Sequence, residues 1–200
     1  GNYGMYYQIP PYTALGYIGT DGNNSELTFI GAQHFVFGSS QFWPWNAKTS
    51  IEGFLKRYSN YPFLLRDSIS LGTAGGDFGV IGNQLATANS EGRAYGLELT
   101  YQQKLFKGFF GIAAITLVRS EFQDIGNKYV ASSWDNGIIA TFTFGKKFGK
   151  NYEIGCQYQL LGGAPYTPFD LAATANIANW NVLGRGIPDY NNLNSMRYKE

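Results

Sequence analysis

The sequence predicts an all-β protein: an antiparallel meander of about six strands that forms a segment of a transmembrane β-barrel with long extracellular loops. Three observations carry this. Segments of about ten residues alternate apolar and polar at a period of two. Three short turns and three long loops separate them in strict alternation, as in membrane barrels with tight periplasmic turns and long outer loops. The composition is 17% aromatic and 14% charged with 26 Gly, and aromatic girdles and glycine-relieved strands both push in that direction.

The elements follow in order. Residues 3–25 are aromatic and Pro-rich before DGNNS, which predicts an irregular surface loop. Residues 29–42 form the first strand, with Phe35 and Phe37 facing lipid and His34, Val36, Gly38 and Ser40 opposed. The turn at residues 42–47, FWPWNA, sets Trp43 and Trp45 where a bilayer interface takes amphipathic rings; the competing reading is a soluble hairpin whose tryptophans pack on a core. Residues 48–58 place Ile51, Gly53 and Leu55 on one face and Ser50, Glu52, Phe54 and Lys56 on the other. Residues 59–91 lose the alternation, as expected of a long outer loop.

From Gly92, GRAYGLELTYQQKLF sets Tyr95, Leu97, Leu99, Tyr101 and Leu105 against Gly96, Glu98, Thr100, Gln102 and Lys104. A tight Lys107-Gly108 turn leads to a strand over residues 109–122. Phe110, Ile112, Ala114, Thr116 and Val118 make both of its faces apolar, so the pattern leaves its register open. Residues 123–135 are the second long loop. Residues 137–148 alternate Ile138, Ala140, Phe142 and Phe144 with Ile139, Thr141, Thr143 and Gly145, and residues 149–151 turn. Residues 152–161 give the cleanest alternation, Tyr152, Ile154, Cys156, Tyr158 and Leu160 against Glu153, Gly155, Gln157 and Gln159. From Gly162 the chain, with Pro165, Pro168 and Pro188, predicts a third long loop. The opening lacks a basic and apolar leader and the closing SMRYKE offers no closing strand, so both ends read as cut from a longer protein.

Composition excludes several functions. A net charge of +1 without a basic cluster argues against nucleic-acid binding. One Cys, Cys156, excludes an internal disulfide, and one His, His34, excludes a two-histidine zinc site. Glu52, Glu98 and Glu153 fall on the predicted lumen face, where two carboxylates are the raw material of glycoside hydrolysis; a polar lumen explains them as well. No G-x-S-x-G elbow accompanies His34. SLGTAGGDFG lacks the Gly-Lys-Ser/Thr of a phosphate loop. Asp21-Gly22-Asn23-Asn24 misses the spacing of a calcium loop, and Asn23-Asn24-Ser25 is a glycosylation sequon of little use to a bacterial chain. The expectation is a chain with no catalytic activity and no cofactor.

An ordered set of segments carries a family resemblance: YYQIPPYTALGY from Tyr6, IEGFLKRYSNYP from Ile51, GGDFGVIGN from Gly75, GRAYGLELTYQQKLFKGFFG from Gly92, SSWDNG from Ser132, FGKNYEIGCQYQLLGGAPYTPFD from Phe148 and PDYNNLNSMR from Pro188. Each is weak alone, but in this order they span nearly the whole chain. They resemble the C-terminal part of the barrel of a TonB-dependent outer-membrane receptor of the Bacteroidetes type. Asn136 and Gly137 depart from it, since relatives often carry basic or His residues there.

The resemblance implies that residues 1–200 are a partial receptor barrel lacking its plug and closing strands. The implied partners are that plug, the remaining strands of a barrel of about 22, the inner-membrane TonB complex acting through the plug, outer-membrane lipid and a surface lipoprotein. The implied function is import of a scarce solute such as a siderophore, cobalamin, glycan or peptide across the outer membrane. Candidate ligand contacts in the loops are Tyr61, Arg66, Asp67, Trp134 and Trp180, by stacking and hydrogen bonding; packing within their own loops is the competing role for each. The other functional readings are a passive or structural barrel, such as a porin or adhesin, and a soluble all-β carbohydrate-binding module.

Overall fold

The computed structural model describes residues 1–74, 82–124 and 126–198. Part of the Gly-rich stretch and of the GGDFGVIGN segment, residues 75–81, lies outside them. The elements are β1 (Asn2–Gln8), α1 (Tyr12–Leu15), β2 (Ile18–Gly19), β3 (Gly22–Asn23), β4 (Ile30–Trp43), β5 (Ala47–Leu64), β6 (Ile69–Ser70), β7 (Ala86–Phe106), β8 (Phe109–Gln123), β9 (Tyr129–Ala131), β10 (Ile138–Phe148), β11 (Tyr152–Leu161), β12 (Pro165–Tyr166), α2 (Leu171–Ala175), α3 (Ile177–Leu183), a 3-10 turn (Tyr190–Asn192) and β13 (Met196–Arg197). One antiparallel sheet runs β1-β4-β5-β7-β8-β10-β11, with β6 added beside β5 and β9 beside β8. Among the described residues β1 and β11 each have one strand neighbour, so the sheet is open. No helix among them is long and apolar enough to cross a membrane.

The short turns form as their sequences require. Lys107 and Gly108 both take positive φ, 50° and 83°, as the two central residues of a type I′ hairpin turn do. Asn46 at φ 61° closes the turn between β4 and β5, where Trp43 pairs with Ala47.

Three expectations are corrected. Residues 2–8 are a strand, not a loop: Asn2 pairs with Val36 and Gln8 with Ile30, and Tyr3 and Tyr6 pack on Phe35 and His34 at 4.8 and 4.6 Å. Pro10 and Pro11, which donate no backbone hydrogen bond, follow its end. The first long loop is shorter than expected, because β5 continues to Leu64 and β7 begins at Ala86. Register shifts between Tyr58 and Tyr61 and between Tyr61 and Phe63 insert extra residues that break the period of two without ending the strand. Finally, the third long loop, after residue 162, carries helices and a strand pair of its own. Asp170 and Asn176 cap α2 and α3 through Ala173 and Ala178 N–H groups, and Gly184 at φ 61° ends α3, a left-handed cap that suits glycine. β13 pairs with β12, outside the main sheet.

Residues paired directly across an antiparallel ladder share a face, so the register sorts the side chains. One face carries the row Phe37, Gly53, Leu97, Leu117, Ile138 and the row Ile51, Leu99, Ile115, Ala140, Leu160. The other carries Gly38, Glu52, Glu98, Thr116 and the row Ser40, Ser50, Thr100, Ala114, Thr141, Gln159. This fixes the register of β8 that the sequence left open: Phe110, Ile112, Ala114, Thr116 and Val118 lie on the polar face. Phe110 has a local reason to be there, since its ring lies over Gly145 of β10, where a Cβ would collide with it. Phe122 and Tyr58 stack at 5.7 Å across Gly92, which pairs with both, and a Cβ at Gly92 would collide with the Phe122 ring. Gly96 likewise leaves room for the Phe54 ring. Aromatic rings laid over strand glycines thus account for part of the glycine and aromatic content.

The buried apolar cluster lies at the long-loop end, away from the middle of the sheet. Ala14, Leu64, Ile69, Leu71 and Ala86 form it, with Leu27, Tyr61, Ala74 and Leu193 packed against it. Asn24 ties it together: its Nδ2 donates to the carbonyls of Ala14 and Gln84 at 2.7 and 2.9 Å, and its Oδ1 accepts from Ala86 N–H at 2.8 Å. The Asn24 of the DGNNS stretch is therefore a buried structural link.

Candidate functional site

At the long-loop end three segments enclose a cleft of about 470 Å3, within the range of small-ligand sites. Its walls are residues 67–69 leading into β6, Asp124 with residues 128–131 around β9, and residues 190–195 before β13. Asn194, at φ 49°, holds the walls together. Its Nδ2 donates to the carbonyls of Thr73 and Ala131 at 3.0 and 2.7 Å, and its N–H donates to Thr167 Oγ1 at 3.1 Å.

Each wall is set by local hydrogen bonding. Asp67 Oδ2 accepts from Gln84 Nε2 at 2.6 Å and its Oδ1 from Arg66 Nε at 3.3 Å. The buried Gln84 in turn takes the Arg66 and Asp67 N–H groups on its Oε1. Asp124 Oδ1 accepts from the N–H groups of Gly126 and Lys128, both at 2.9 Å, a turn in which a short carboxylate substitutes for backbone. Asp189 caps the 3-10 turn through Asn191 N–H and Asn192 Nδ2 at 3.1 and 2.7 Å. Burial and then the charge of Asp67 raise the Tyr190 phenol above its ordinary pKa, so it is a neutral hydroxyl around pH 7. The Arg93 guanidinium lies 4.0 Å over the Tyr129 ring and pairs with Glu121 at 2.7 Å. Among the described residues, no cluster of three or more His, Cys, Asp or Glu side chains is placed to hold a metal ion.

Beside the cleft a buried carboxylate ties the second loop to the end of the chain. Asp135 accepts from Arg119 Nη1 at 2.7 Å, Arg197 Nη2 at 2.6 Å and Ser120 N–H at 3.2 Å. Its carbonyl also accepts from Arg197 Nη1.

The five loop candidates of the sequence do not converge. Asp67 lines the cleft and Arg66 leans on it from solvent. Tyr61 belongs to β5, packed on Tyr58 and Phe122. Trp134 and Trp180 are exposed elsewhere, Trp180 on α3. The residues that sequence reasoning missed are Asp124, Lys128, Tyr129, Tyr190 and Asn191; Asp124 ahead of Gly126 and Asn127 was the available signal, a turn-forming DIGN.

On the polar face Glu52 and Glu98 pair directly across β5 and β7, and Thr100 Oγ1 donates to Glu98 at 3.4 Å. Glu153 lies on the same face, 3.6 Å from Lys147 Nζ. At the short-turn end Trp43 and Trp45 stack at 5.1 Å, and Trp43 Nε1 donates to Thr49 Oγ1 at 2.9 Å, which aligns the pair with the apolar face. Fold and site together define an open antiparallel sheet, apolar on one side, carrying a structured loop cap. Comparison with protein-family profiles, curated proteins and solved structures finds no match to this chain.

Proposed function

We propose that this chain is part of the membrane wall and loop cap of an active outer-membrane transporter of the TonB-dependent receptor type, a non-enzymatic importer of a scarce solute. The observation that carries the reading is the apolar face, exposed across the sheet from Phe35 and Phe37 to Ile154 and Tyr158. A soluble monomer rarely leaves so continuous an apolar surface in water. Its borders also suit a bilayer. The row Arg57, Arg93, Glu121 bounds it on the loop side, and Trp43, Gln103 and Lys146 bound it on the turn side. Along β7 the separation from Arg93 to Gln103 is about ten residue steps of about 3.4 Å, or about 24 Å of membrane depth at a tilt of about 45°.

On this reading the polar face lines the lumen, where Glu52 and Glu98 meet a plug, further strands pair with the edges of β1 and β11, and a surface lipoprotein docks on the loops. Energy coupling through the plug rests on the ordered resemblance from Tyr6 to Arg197. The test is uptake of the receptor's solute at limiting concentration: deletion of the inner-membrane coupling protein should abolish it. Undiminished uptake in that deletion would establish a passive barrel instead.

A further inference from the structure

We propose that the apolar face holds one membrane lipid with a phosphate headgroup, its chains in a hollow over Gly53 and its phosphate on Arg119 and Arg197. Contact with lipid in general belongs to the transporter reading, on which the inference rests for a membrane at this face. A single lipid selected by its charge goes beyond that reading. The hollow measures about 1500 Å3, more than the roughly 300–1,000 Å3 of a small-solute site. Its floor is Gly53, which pairs with Phe37 and Leu97 and has no side chain, so the row of apolar side chains drops in the middle of the sheet. The next row toward the loops runs Tyr3, Phe35, Leu55, Tyr95 and ends in Arg119, while Ile51 lines the hollow on the turn side.

The charged side chains in the described lining are Arg119 and Arg197. They share one carboxylate, Asp135, which is fully buried while both guanidinium groups reach the surface. The trio therefore shows one net positive charge at the loop-side rim of an otherwise uncharged hollow, and Asp135 fixes its position. Arg119 Nη1 is taken by Asp135, whereas its Nε and Nη2 have no hydrogen-bond partner among the described residues. Such a pair of parallel donors fits two phosphate oxygens. Arg93, one row closer to the loops, is already neutralised by Glu121. Arg119 thus stands just inside the polar row that borders the apolar face, the depth at which headgroup phosphates meet hydrocarbon. A neutral lipid would leave this cation unmatched. A second copy docked through the same hollow would bring the same two cations and no free carboxylate.

The test is native mass spectrometry of the full-length protein, delipidated in detergent and then given dioleoylphosphatidic acid, dioleoylglycerol or inorganic phosphate. The expected result is one phosphatidic acid retained per chain, with dioleoylglycerol held about tenfold more weakly, the loss of a charge-assisted hydrogen bond. Gly53→Phe should abolish retention. A Cβ at Gly53 meets only backbone oxygens at 3.9 and 4.0 Å, and an aromatic residue suits a strand, so this variant fills the hollow and leaves the sheet intact. Arg119→Gln should weaken retention about tenfold; because it also loosens the hold on Asp135, Gly53→Phe decides the matter where the Arg119 variant misfolds. Equal retention of the two lipids, retention undiminished in Gly53→Phe, or inorganic phosphate bound as tightly as the lipid would overturn the proposal. So would a dimer that excludes lipid, which would assign the hollow to a second copy. Retention needs no energised membrane, so its failure is distinct from a failure of energised uptake, which would overturn the transporter reading alone.

Discussion

Asp135→Asn removes a negative charge from the point where β8, the second long loop and the end of the chain meet. The carboxylate has no exposed surface, while Arg119 and Arg197 are 51% and 37% exposed. Removing one member of a fully buried ion pair costs about 3–5 kcal/mol. Here both guanidinium groups can rehydrate, and the carbonyl oxygen of the new amide can still accept from Ser120, so the expected loss is about 2–3 kcal/mol. It should be local, because Arg197 is also held by the carbonyl of Gly163 at 3.1 Å and the ladder between β10 and β11 does not depend on Asp135. Hydrogen exchange on the full-length protein reads this directly: amides of residues 132–137 and 194–198 should exchange faster, with β4 and β5 unchanged. Arg197→Gln should then cost much less when combined with Asp135→Asn than alone, since the two share one interaction. Unchanged exchange at residues 132–137, or fully additive costs, would refute the clamp.

Asn24→Ala leaves two buried backbone groups, the Gln84 carbonyl and the Ala86 N–H, without a partner, while the Ala14 carbonyl still accepts from Tyr17 N–H at 3.3 Å, and should cost about 2–3 kcal/mol; the Ala86 amide, protected by Asn24 Oδ1, should lose its exchange protection. Spin labels at Tyr152, Ile154 and Tyr158 should be reached by a lipid-soluble quencher and labels at Gln157 and Gln159 should not; equal access would contradict a lipid-facing sheet. An epitope inserted within residues 171–183 should bind antibody on whole cells, and one at Lys107-Gly108 should not; the reverse would invert the topology. Tyr17 donates to Asp21 Oδ1 at 2.6 Å, and that bond, followed by burial, raises its pKa above the ordinary phenol value. A raised folded-state pKa means the stabilisation is complete below the ordinary value and is lost as pH rises through the higher one. Ultraviolet titration should therefore show Tyr17 ionising at lower pH in Asp21→Asn than in the wild type.

What the sequence made legible is what depends on near neighbours. The alternation in residues 152–161 matches β11 residue for residue, and Lys107-Gly108 named its own turn. Failure came where the signal is interrupted or distant. Bulges near Tyr61 erased the period of two while the hydrogen-bond ladder continued, so the ends of β5 and β7 looked like loop. β1 was missed because its seven residues run into two prolines, and its pairing with β4 is what makes it a strand. In β8 both faces are apolar, and the covering of Gly145 by Phe110 and of Gly92 by Phe122 is a cross-strand relation that one strand cannot display. The cleft was least legible of all. Asp67, Asp124 and Tyr190 are brought together by Asn194 reaching to Thr73 and Ala131, contacts between distant parts of the chain that no local pattern announces. The aromatic loop residues chosen for their chemistry, Trp134 and Trp180, are conspicuous in sequence and stand apart in space.

The distribution of buried surface links the fold to the proposed role. Leu97, Leu99 and Leu117 in the central strands are 43%, 42% and 49% exposed on the apolar face, so this face draws little hydrophobic stabilisation from within the described chain. Sheets of this kind are held by what covers them. In the proposed setting lipid takes the apolar face, and further strands satisfy the free backbone groups of β1 and β11, which hydrocarbon would otherwise leave unpaired. The loop cap differs, because it has its own apolar cluster and its own buried polar ties at Asn24, Gln84 and Asp135. These contacts also fix it to the wall beneath, since Leu64 belongs to β5 and Ala86 to β7, and Asp135 holds Arg119 and Ser120 of β8. A cap held by such contacts keeps Asp67, Asp124 and Tyr190 in the walls of one cleft at the loop end, the end that the proposed transporter would turn outward.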